Sequence, residues 1–102
     1  MEEKLCKLTL VYPPAAEDAI VELLLAAEPP LKGFSTWPAD GRGLDFGDAS
    51  TSERVRGRIR RCVMVLVLER SRLAALLETV RTQAGAPHLA YWVEPVESFG
   101  RL

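Results

Sequence analysis

Histidine is almost missing from this 102-residue chain: His88 stands alone, and the two cysteines, Cys6 and Cys62, form no Cys-x-x-Cys pair. That spacing excludes a local zinc module of the finger or ribbon kind. Both cysteines sit in apolar runs, where they read as small core or interface residues and not as a disulfide framework. An excess of one charge is lacking too. Thirteen Lys and Arg against 14 Asp and Glu leave a net charge of −1, which argues against nucleic acid as a partner. No apolar run approaches the roughly 20 residues needed to span a bilayer, so no membrane insertion is expected. The opening Met1-Glu2-Glu3-Lys4 is acidic and lacks the basic-then-apolar layout of a signal peptide. A cytoplasmic protein is expected. No local motif suggests a Ser-His-Asp set, and Asp40, Asp45 and Asp48 fall in a stretch read as loop, whereas catalytic groups need rigid placement. The chain is not expected to be an enzyme.

What is present fits one globular domain over residues 1–102: 48% hydrophobic and 26% charged residues. Residues 4–12 alternate as a strand, with Cys6, Leu8, Leu10 and Tyr12 on one face and Leu5, Lys7, Thr9 and Val11 on the other. Pro13-Pro14 stops that strand and opens a helix over 15–28, where Ala16, Ile20, Leu23, Leu24 and Ala27 recur at helical spacing. Residues 33–39 form a weaker second strand, with Pro38 marking an edge or an early end. A third strand runs from about 54 to 68. Ser71 offers a cap to a second helix, 72–84, striped by Leu73, Leu76, Leu77 and Val80. Gly85 and Pro87 end it, and residues 88–96 give a fourth strand.

The order β-α-β-β-α-β predicts an α+β fold: a ferredoxin-like sandwich with a four-stranded antiparallel sheet and two helices on one face. Two helices cover one face only. Yet Cys62 to Leu68 is apolar on both, with Cys62, Met64, Leu66 and Leu68 pointing one way and Val63, Val65 and Val67 the other. Such a strand is normally buried on both sides. In so short a chain, further copies of itself are the expected cover.

The sharpest polar feature is an arginine run. Arg54, Arg56, Arg58 and Arg60 alternate, and Arg61 follows. Extended, they would stand on one face at the base of the glycine- and hydroxyl-rich segment 41–53, read as a long mobile loop. Guanidinium groups grip phosphates and carboxylates in a bidentate fork. Two readings stand: an anionic ligand or acidic partner docks here, or the arginines pair with the protein's own acids, such as Glu53 and Glu69, or with a neighbouring subunit. Leu44 and Phe46 are apolar residues within that loop and serve as candidate partner anchors. Gly41-Arg42-Gly43 offers backbone amides to an anion but is no P-loop. Trp37 and Trp92 read as packing residues or interface anchors.

With this layout, the chain resembles the PII-like signalling superfamily, and within it the family built on domain of unknown function 3240. The resemblance is carried by Leu8-Thr9-Leu10-Val11-Tyr12-Pro13-Pro14, by Gly33-Phe34-Ser35, by Gly41-Arg42-Gly43, by Val55-Arg56-Gly57-Arg58, and by Tyr91-Trp92-Val93-Glu94-Pro95-Val96 running to Phe99-Gly100-Arg101-Leu102. It spans nearly the whole chain. It implies a homotrimer whose 41–53 segment is the T-loop that touches a target such as a membrane transporter, with metal homeostasis and heavy-metal efflux as a setting. It also implies a small ligand in the clefts between subunits: an adenine nucleotide, a small anion or a metal ion. On the matching positions the resemblance implies Gly41, Arg42 and Arg101 as ligand residues, and Arg56 and Arg58 of the arginine run join them as candidates. The pattern departs at Gly85-Ala86-Pro87-His88, which lacks the lysine and repeated glycines that wrap a triphosphate, so ATP is not the expected ligand. Two alternatives remain beside the regulatory reading: a metal-binding protein using His88 with Cys6 or Cys62, and a ligand-free interaction subunit.

Overall fold

The computed structural model describes residues 3–42, 58–85 and 89–102. Strand β1, Leu5–Tyr12, leads through a short 3-10 turn, Pro14–Ala16, into helix α1, Glu17–Leu25. Strands β2, Phe34–Gly41, and β3, Ile59–Glu69, follow. A second 3-10 turn, Arg70–Arg72, opens helix α2, Leu73–Gln83, and β4, Ala90–Val96, completes the sheet. The strand order is β2-β3-β1-β4, with every neighbouring pair antiparallel. This is the expected ferredoxin-like arrangement.

The sheet order follows from the composition of the strands. The two most apolar strands, β1 and β3, occupy the centre, where both edges of the backbone find partners. The two strands containing proline, Pro38 in β2 and Pro95 in β4, take the edges, where a missing N–H costs no ladder bond. Of the two sequence readings of Pro38, the edge position holds and the early end does not: the strand runs on through Asp40 to Gly41.

Register places Cys6 beside Leu68, Leu8 beside Leu66, Leu10 beside Met64 and Tyr12 beside Cys62. These residues form the helix-covered face, and all but the half-buried Cys62 are essentially inaccessible. Ile20 and Leu24, one turn apart on α1, and Val80 on α2 close the core over them. Fully burying one such side chain contributes about 1.5–3 kcal/mol, so this single layer carries the stability of the subunit.

Both helices differ from the sequence expectation at one of their ends. α1 ends at Leu25, three residues short of 28, with the Ala26 N–H donating to the Glu22 carbonyl. Ser71 caps nothing. It lies inside the 3-10 turn, and the residue preceding α2 is Arg72, with no side-chain cap. The turn is held instead by the Arg70 N–H, which donates to the Lys4 carbonyl at 2.8 Å. Gly85, at φ +62, makes the left-handed exit from α2 that glycine adopts without a Cβ clash.

Candidate ligand site and subunit interface

At the far end of the β2–β3 ladder, Asp40 pairs with Arg60 and Gly41 with Ile59. Alternation along β3 sets Arg60 on one face and Arg61 on the other, and Arg58, just before the strand, reaches the same Asp40 as Arg60. Arg58 Nη1 donates to Asp40 Oδ2 at 3.1 Å, and Arg60 Nε lies 3.8 Å from Asp40 Oδ1. One carboxylate thus meets two guanidiniums, one oxygen to each. Arg61 is buried and donates from Nη1 to the Arg60 carbonyl at 2.9 Å. Arg42 follows directly after Gly41 at this same end. Asp40 is the acid that pairs with Arg58 and Arg60, while the expected Glu69 pairs with Arg72 at 3.9 Å. Asp40 also belongs to a strand and not to a loop. Arg54, Arg56 and Glu53, together with the partner anchors Leu44 and Phe46, lie outside the described residues.

Arg101, grouped with these residues by resemblance, is elsewhere in the subunit. Its Nη2 donates to the Lys32 carbonyl at 3.4 Å, just before β2 begins at Phe34. The Gly41 end of β2 is seven residues further on, roughly 23 Å at strand rise. One subunit therefore does not bring Arg101 to Arg42 and Arg58.

The cysteines are equally far apart. Cys6 pairs with Leu68 and Cys62 with Tyr12, six residues along β1 and roughly 20 Å away. No single metal can take both within one chain. His88 lies outside the described residues, and among the described residues no three His, Cys, Asp or Glu side chains gather as a metal site. Burial raises the Cys6 thiol, partly offset by the Arg70 charge. Burial first, then a hydrogen bond to Glu17 and its charge, pushes Cys62 up to about 11. Both are thiols, not thiolates, at neutral pH.

Sequence reasoning missed the cluster around Glu17. This carboxylate opens α1 and accepts a hydrogen bond from the Tyr12 hydroxyl at 3.1 Å. Burial and Glu17 together hold the Tyr12 phenol above its ordinary value. The sequence signal was available: the double-proline turn between Tyr12 and Glu17 folds the chain back on itself.

The second sheet face carries Val63, Val65 and Val67 of β3 and Val11 and Thr9 of β1. None of these joins the helix-covered core cluster. On the flanking strands, Trp37 opposes Val63 and Trp92 opposes Thr9. Both indoles stand open, 46% and 49% exposed. Thr9 is buried at the centre of this face, and its hydroxyl is the one buried side-chain polar atom without a partner among the described residues. Lys7 and Glu94 form an ion pair at 3.7 Å toward one end of the same face.

This geometry has close counterparts. Residues 1–102 match a family described as "Protein of unknown function (DUF3240)". The chain is a member of the DUF3240 family. Among solved structures, a DUF3240 protein from Shewanella baltica is similar over 100% of this chain and 99% of its own, at 24% identity and a TM-score of 0.76. A nitrogen regulatory PII-like protein from Thiomonas intermedia K12, bound to ADP, AMP and bicarbonate, is 15% identical over 97% of both chains, with a TM-score of 0.67. Arabidopsis thaliana PII bound to citrate is 14% identical, covering 93% of this chain and 77% of its own, with a TM-score of 0.68. The fold of this DUF3240 chain is therefore that of the PII-like proteins. No curated protein matches it.

Proposed function

We propose that this DUF3240 protein is a cytoplasmic, PII-like regulatory subunit that works by binding and not by catalysis. Three copies associate through the second sheet face, a small anion binds where two copies meet, and the 41–53 segment passes the state to a target through Leu44 and Phe46. A membrane transporter, such as a heavy-metal efflux pump, is the proposed target. The observation that carries this reading is the uncovered apolar face of β3, with two half-exposed indoles and the orphaned Thr9 hydroxyl. Apolar area of that kind is typical of surfaces that close against a partner.

The ligand class follows from the arginines. At the Gly41 end, the guanidiniums of Arg58 and Arg60 share one carboxylate, Asp40, and Arg42 follows next along the chain. Two guanidiniums that already grip one carboxylate favour an oxyanion. Proteins of this fold are seen with ADP, AMP and bicarbonate or with citrate, all oxyanions. Arg101 sits at the opposite end of β2, so a site that holds Arg42, Arg58 and Arg101 together needs two copies of the chain.

A complementation titration tests this. Calorimetry with AMP, ADP and bicarbonate should show binding to the wild-type protein, and Arg58→Gln and Arg101→Gln should each lose it. Co-refolding the two variants should restore a fraction of the sites, since a seam between unlike copies receives both intact arginines. Restored binding supports a shared site. Mixed oligomers that bind no better than either parent would contradict it.

A further inference from the structure

Asp40 bridges the two arginines of the candidate anion site. Its two oxygens face two different guanidiniums, Arg58 at 3.1 Å and Arg60 at 3.8 Å, as two oxygens of a phosphate or carboxylate ligand would. The contact is only partly shielded: 36% of the Asp40 side chain and 33% and 66% of the arginine side chains are exposed. Ion pairs exposed to this degree are weak, so the carboxylate is able to swing away. It is also tethered, which gives it a high effective concentration over the arginines.

We propose that Asp40 is a built-in competitor for the anion site, displaced when an oxyanion with two free oxygens takes the Arg58 and Arg60 forks. This rests on the anion-site reading above and adds the direction in which Asp40 acts. The carboxylate keeps the two arginines from repelling each other while the site is empty, and its release is part of each binding event. Asp40 and Arg60 form the last cross-strand pair but one before β2 ends at Gly41. Ligand binding therefore opens a contact between β2 and β3 at the base of the 41–53 segment. By linkage, whatever tightens that contact weakens the ligand, and the ligand loosens the contact by the same factor.

The opposing possibility is that Asp40 organises the arginines for the ligand, and the two differ in sign. Titration of phenyl phosphate at low salt should show Asp40→Asn binding roughly two- to tenfold tighter than wild type, the range set by the modest strength of a half-exposed ion pair. In the wild-type protein, the carboxyl carbon resonance of Asp40 should shift as phenyl phosphate saturates the site. Tighter binding accompanied by that shift supports the competitor. Equal or weaker binding by Asp40→Asn, or a carboxyl resonance that stays fixed through saturation, overturns it while leaving the anion site standing. Failure of both proteins to bind phenyl phosphate, AMP or bicarbonate overturns the competitor and the anion site together.

Discussion

Replacing Val65 with Asp should separate association from folding. Val65 lies on central strand β3 between Thr9 of β1 and Ser35 of β2, on the face away from the helices. It is half-buried in the subunit and contributes nothing to the helix-covered core. Within one subunit the substitution costs about 1 kcal/mol, the span of strand propensity, so the fold survives. In an assembly closed over this face the cost is much larger. The lost apolar burial is worth about 1.5 kcal/mol or more, and the trapped carboxylate adds a desolvation penalty of several kcal/mol. Together they exceed about 3 kcal/mol, weakening association by roughly a hundredfold or more. Light scattering coupled to size exclusion reads the mass, and far-ultraviolet circular dichroism reads the fold. The expected result is a folded Val65→Asp chain of smaller mass than wild type. A variant that keeps both its fold and the wild-type mass would refute the assignment of this face to the interface.

Three further outcomes follow from the same geometry. Leu8→Ala opens a cavity beneath both helices and should destabilise the subunit by about 3–5 kcal/mol, lowering the thermal midpoint by about 12 °C or more; a smaller shift would mean that the core collapses around the site. Cys62 should titrate near 11, against about 9 when unfolded. The folded state holds the thiol proton more tightly, so this contribution to stability is complete below about pH 9 and is lost as pH rises toward 11. Denaturant midpoints across that window should fall for wild type and fall less for Cys62→Ala; parallel curves would remove Cys62 from the account. Alkylation of Cys6 and Cys62 by iodoacetamide at neutral pH should be much slower in the folded protein than in urea, and equal rates would contradict the raised, buried thiols.

Much of the fold was legible in the sequence because period-2 and period-3.6 patterns were clean. The alternation of Cys6, Leu8, Leu10 and Tyr12 set one face of β1 apart from the other, and the double-faced run from Cys62 to Leu68 marked a strand apolar on both sides; the structure then showed which face the helices cover and that this strand is central. Polar contacts that depend on register were less legible. Asp40 meets Arg58 and Arg60 only because β2 runs past Pro38, and an edge strand tolerates that proline where a central strand would not. Arg101 and Arg42 carry the same kind of charge in the sequence, and only the antiparallel layout reveals that they sit at opposite ends of β2. Ser71 failed as a cap because a tertiary bond from Arg70 to Lys4 fixes the turn without it. The Tyr12, Glu17 and Cys62 cluster joins three elements, so local spacing pointed to one side of it alone.

The most direct measurement is the mass of the wild-type chain in solution at micromolar concentration by multi-angle light scattering. Association through the second sheet face predicts three times the 11.3 kDa of a single chain. A stable species of one chain mass, with Trp37, Trp92 and the β3 valines left in water, would contradict it.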